Sequence, residues 1–180
     1  FGYNNTIDKN ITVFYDELFN ALYKGHDLTK AGFCRIKSSS LDIEKFRNLF
    51  RSFSFTSLYE NKSYFSNESE VLETIRKSSL LSSIQLDNYR GFLSDLNESV
   101  PLLIKDGLEY KFIHKTISEF FAAEFLTYSE VSDELFNKIN TNKLGKYFEK
   151  SFEFLYKINS ALYIKKIGRF FINDFITFVD

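Results

Sequence analysis

A lone cysteine, Cys34, can close no disulfide within the chain and brings no second thiol to a metal cluster, which suits a reducing compartment. Zinc chemistry is short of ligands too, because the two histidines, His26 and His114, lie far apart and neither belongs to an H-E-x-x-H pair. None of the seven glycines is followed five positions on by the Gly-Lys-Ser/Thr of a phosphate loop, and no G-x-G-x-x-G occurs. Nucleotide hydrolysis by this stretch alone is not expected, and carboxylate pairs at helical spacing, such as Glu70 and Glu73, are what 24 acidic residues produce on solvated faces. No apolar run reaches the ~18 residues that span a bilayer and no signal peptide is visible, so a cytoplasmic protein with no membrane partner is expected. Methionine is absent and the first residue is Phe1, from which the chain is expected to be a piece of a longer protein. A net charge of −1 provides no global attraction to nucleic acid or acidic lipid.

Aromatic residues are plentiful instead. With 22 Phe and 11 Tyr among 180 residues, 44% of them hydrophobic, the chain can bury a real and largely aromatic core, as one unit or two small subdomains. From Ile11 to Lys24, Val13, Phe14, Leu18, Ala21 and Leu22 follow a 3.6-residue period, and Gly25 stands where a left-handed cap would end a helix. Residues 30–40, with Gly32 and three serines in a row, lose that period and read as a connection. Ser40 is expected to cap a second helix carrying Phe46, Leu49, Phe50 and Phe53 toward Tyr59. After a polar break over 61–66, Asn67 and Glu70 form a cap-like pair before Val71, Leu72 and Ile75. Asp87 is expected to cap a helix burying Tyr89, Phe92, Leu93 and Leu96.

The most informative stretch runs from Leu102 to Leu126. Two β-prone runs, 102–105 and 108–113, flank Asp106-Gly107, a strong hairpin signal, and Pro101 stands just before the first run, where a missing N–H is tolerated. Thr116 and Glu119 have the spacing of a capping box, so a helix should follow at once, with Ile117, Phe120, Phe121 and Phe125 on its buried side. Ala122-Ala123 would let a neighbouring element come close. Three helices, a hairpin and a further helix predict a mainly α fold with a winged-helix core and one β-hairpin, flanked by helical subdomains. Helical segments are expected in the tail over 132–139, 142–157 and 160–178.

The string FIHKTISEFFAAEFL, residues 112–126, resembles a signature of NACHT-type signalling NTPases, in which an aromatic, an aliphatic and a histidine precede a helix with Glu-aromatic-aromatic-Ala-Ala. Upstream, FYDELFNALYKGHDLTK, residues 14–30, resembles the helix closing the nucleotide-side helical subdomain of bacterial members. The resemblance implies residues 1–37 as the end of the lid subdomain, 38–128 as the winged helix and 129–180 as the start of a second helical subdomain. It also implies a regulatory part of a switch protein in antiphage or innate immune defence. This part would work against its own nucleotide-binding domain and control homo-oligomerisation, with ADP or ATP held by the full-length parent. In that family the histidine corresponding to His114 touches the ADP diphosphate and locks the closed state.

Two readings of His114 stand side by side. An imidazole at a strand end can pack against the wing and satisfy a backbone group, or it can donate a hydrogen bond to a phosphate oxygen as the resemblance implies. His26, beside Asp27, reads as a favourable partner of the first helix's C-terminal dipole. Because winged helices also bind DNA, a transcription regulator is the alternative function. The third helix argues against it, with Arg90 as its one basic residue beside Asp87, Asp95 and Glu98, and the wing sets Lys105 and Lys111 against Asp106 and Glu109.

Overall fold

The computed structural model describes residues 4–24, 37–141 and 144–168. It is mainly helical with one small antiparallel sheet, as expected. The order is α1 (Asn4–Lys24), α2 (Ile43–Tyr59), β1 (Tyr64–Phe65), α3 (Glu68–Ser82), α4 (Tyr89–Ser94), β2 (Leu103–Asp106) and β3 (Glu109–Phe112). Then come α5 (Lys115–Tyr128), α6 (Asp133–Thr141), α7 (Gly145–Ile158) and α8 (Ser160–Tyr163). Single π-helical turns extend α4 over Asp95–Ser99 and α8 over Ile164–Gly168. No described helix is long and apolar enough to cross a membrane.

The hairpin forms, with its turn one residue later than Asp-Gly suggests. Asp106 pairs with Glu109, so Gly107 and Leu108 are the central residues. Gly107 has φ +63 and Leu108 is not left-handed, the pattern of a type II′ loop, which needs glycine at its first central position. β3 is the middle strand, flanked by β2 and by β1. The polar break at 61–66 thus hides a two-residue strand, whose Phe65 pairs with Tyr110. Along β3, Glu109 and Lys111 are exposed while Tyr110 and Phe112 are buried, the period-two pattern of a one-sided sheet. Phe112 lies 5.7 Å from Phe53 and 6.3 Å from Phe50, so the sheet's inner face rests on α2. In chain order, three helices, α2, α3 and α4, precede the hairpin of β2 and β3, with β1 between the first two.

Several helix starts differ from expectation. Ser40 has φ +56, which is unsuited to an N-cap, and Asp42 in extended conformation accepts the Lys45 N–H at 2.8 Å instead. Asn88, not Asp87, caps α4 by accepting the Gly91 N–H at 2.8 Å. The pair at α3 is as expected, with Asn67 accepting from Glu70 N at 3.1 Å, while the Glu70 carboxylate takes the Ser66 N–H at 2.8 Å. On α1 the buried face is rotated. Tyr15 and Phe19 are buried, while Val13, Phe14 and Ala21 are exposed. The Gly25 cap, His26 and most of the 30–40 connection lie outside the described residues, as does the tail beyond 168.

One contiguous core runs from Tyr15 on α1 to Ile167 after α8 and so crosses both expected subdomain boundaries. At its first crossing the chain is held tightly. The fully buried Asp95 carboxylate accepts the N–H groups of Ser38 and Ser39 at 2.9 and 2.8 Å and the Ser39 hydroxyl at 2.6 Å. Beside it, a Cβ on Gly91 would lie 2.5 Å from the Ser38 carbonyl oxygen. That clash is with backbone, which Asp95 prevents from retreating. Gly91→Ala should therefore lower stability by about 1–3 kcal/mol in urea unfolding with little change in slope. A loss under about 0.5 kcal/mol, the range of ordinary surface substitutions, would show that the approach is not tight.

Candidate functional site at the joint between wing and central helix

The joint between β3 and α5 carries His114, and the structure assigns it a local task. The residue is extended (φ −151, ψ 137) and is itself the N-cap of α5, its Nδ1 accepting the Thr116 N–H at 3.3 Å. The expected capping box of Thr116 and Glu119 does not form. Thr116 already lies inside the first turn, and the buried Glu119 pairs with Lys115 at 3.2 Å along the helix. An imidazole nitrogen two bonds from Cβ can do what a serine or asparagine oxygen does at this position, an uncommon choice that puts the true cap two residues before the hydroxyl of Thr116.

The ring is fixed by a short relay. Tyr15 on α1 donates its hydroxyl to Thr116 Oγ1 at 2.7 Å, and Thr116 Oγ1 lies 2.8 Å from His114 Nδ1. With Tyr15 donating to Oγ1 and the Thr116 N–H donating to Nδ1, the hydrogen-bond pattern assigns Nδ1 the accepting role. The ring proton belongs on Nε2, which makes no hydrogen bond among the described residues. Tyr15 is anchored in turn. It stacks on Phe120 with centroids 4.4 Å apart and meets Phe154 of α7 edge-on at 5.6 Å. The joint thus presents an exposed, oriented N–H donor on a rigid base, with exposed Ile113 and Lys115 on either side.

On the other side of α5 the charges are buried and matched. Glu124, 4% exposed, accepts from Arg47 Nη2 at 2.6 Å and Nε at 3.2 Å, and from Arg51 Nε at 3.0 Å. Arg47 also pairs with Asp16 on α1. Burial alone would lower the Arg47 pKa, but the hydrogen bonds and charges of Glu124 and then Asp16 outweigh it and raise it. This pairing sets its charges against one another and reads as a structural clamp; sequence spacing holds no hint of it, because its partners lie 73 and 77 positions apart. Among the described residues no group of three or more His, Cys, Asp or Glu is placed to hold a metal ion.

No protein-family model, curated protein or solved structure matches the chain.

The capping role of His114 is open to measurement. His114→Ala should cost about 0.5–2 kcal/mol of unfolding free energy, while His114→Asn, which restores a capping oxygen, should stay within about 0.5 kcal/mol of the parent. Equal losses in both variants would show that ring packing, not capping, is what the residue contributes.

Proposed function

We propose that this chain is the regulatory winged-helix and helical part of a NACHT-type signalling NTPase, in which His114 donates to a phosphate of bound ADP and holds the module closed. The carrying observation is the spare Nε2–H on an exposed ring whose other nitrogen is committed to the helix cap. A donor oriented in advance loses little freedom on meeting a charged acceptor, and hydrogen bonds to charged groups are the strong ones. In this reading the nucleotide belongs to the parent's own nucleotide-binding domain, and this part supplies the latch, not catalysis. The protein works in the cytoplasm, in antiphage or innate immune defence, and releasing the latch frees surfaces for homo-oligomerisation.

The DNA-binding alternative draws less support. Arg90 on α4 is paired with Glu68 at 3.1 Å, and Phe92, Leu93 and Leu96 face the core, so the helix that would enter a groove has little charge to offer phosphates.

The latch is tested in the full-length NTPase with His114→Asp. Aspartate keeps a good cap yet sets a carboxylate against the phosphate, so stability should hold while ADP release accelerates about tenfold or more and oligomers form without a trigger. Unchanged ADP release from a folded His114→Asp protein would defeat the reading.

A further inference from the structure

A cavity of about 350 Å³ lies where the turn after α2 meets the starts of α5 and α7, lined by Leu58, Asn61, Lys62, Ser63, Lys115, Lys146 and Tyr147. Three lysines from three separate elements line it, and no acidic residue does. That is unusual for this chain, whose net charge is −1. Three other cavities each mix the signs. The groove between α7 and α8 sets Lys146 and Lys157 beside Glu149 and Glu153. The clamp region has Arg47 and Arg51 beside Asp16, Glu44 and Glu124, and the site near α4 has Arg90 and Lys105 beside Glu68 and Glu98.

The nearby carboxylates leave part of this charge unmatched. Glu60 serves Lys62, at 2.9 Å, and also Lys77. Burial pushes the Glu60 carboxyl up, but the hydrogen bonds from Lys62 and Lys77 outweigh it and hold it below the usual carboxylate range. Glu119 serves Lys115. Lys146 lies 4.7 Å from the Tyr147 ring centroid and has no carboxylate partner among the described residues. Cations gathered at a low-dielectric wall concentrate their field in the cleft. The volume is at the small end of the ~300–1,000 Å³ typical of ligand pockets, which suits a compact ligand, and the three lysines favour an anionic one.

We propose that this cavity binds the phosphate groups of a small phosphorylated ligand, with Lys62, Lys115 and Lys146 neutralising its charge and Asn61 and Ser63 offering hydrogen bonds. Lys115 borders both this cavity and the His114 joint, but His114 does not line the cavity, and the proposal does not depend on the role given to His114. Inorganic pyrophosphate is the probe, titrated into the chain and followed by amide chemical shifts and calorimetry. One saturable site is expected, with the largest shifts around Lys62, Lys115 and Lys146. Lys146→Glu should weaken binding about tenfold or more while circular dichroism is unchanged. Lys165→Glu, the same charge change at an exposed residue that does not line the cavity, should leave affinity within about twofold, since solvent and salt screen exposed charges. Absence of saturable binding by the parent chain, or equal weakening by both substitutions, would overturn the site.

Discussion

Everything else in the structure has to accommodate the enclosure of α5. Ten consecutive residues, Ile117 through Leu126, are buried, so the helix has no solvent face along its middle. Two of the ten are glutamates, and a buried carboxylate is tolerable only when paired and hydrogen-bonded. Arg47 and Arg51 stand one turn apart on α2 and meet Glu124 together, which sets α2 against α5 in one register. Removing one partner of such a pair typically costs about 3–5 kcal/mol, far more than the pair adds over an apolar substitute, so its contribution is better understood as specificity than as stability.

Around that clamp the aromatic residues divide the remaining work. Phe120 stacks on Tyr15 of α1, Phe121 meets Phe50 of α2 at 4.9 Å, and Phe125 stacks on Phe55 at 4.5 Å. Pairs in these geometries contribute about 0.5–1.5 kcal/mol beyond the area they bury. Ala122 and Ala123 are fully buried between them, where a larger side chain would force the neighbouring helices apart. Phenylalanine has only two side-chain torsions, so a core of this kind loses little rotamer freedom compared with one built from methionine. The consequence for His114 is mechanical. Its ring is carried by the first turn of a helix that cannot shift without disturbing α1, α2 and α7.

Where the sequence was legible, a single physical signal dominated. The stripe Phe46, Leu49, Phe50 and Phe53 is buried in full, and the tail helices 132–139 and 142–157 agree with α6 and α7 to within a few residues. Caps were less legible, because clusters such as Ser38–Ser40 before Asp42, or Asp87 beside Asn88, offer several competent oxygens and only backbone dihedrals decide among them. On α1, Tyr15 and Phe19 competed with Phe14 and Leu18 for the buried face, and the choice belongs to Phe120 and Phe121, a hundred residues away. His114 stood out from sequence as a site residue, whereas its relay to Tyr15 and the three-lysine cavity did not, since both are assembled from distant elements. β1 was illegible for a simpler reason, as two residues carry no period.

The latch proposed for His114 requires a base that moves as one body, and α5 belongs to a single core shared from Tyr15 to Ile167. Native-state amide hydrogen exchange measures this directly. Amides in the middle of α5 should exchange only through global unfolding, with those of α2 and α7 opening at the same free energy and responding together to added denaturant. Exchange of α7 through a separate, lower-energy opening while α5 stays protected would contradict the account, because the helical tail would then be an independent layer and not part of what holds His114 in place.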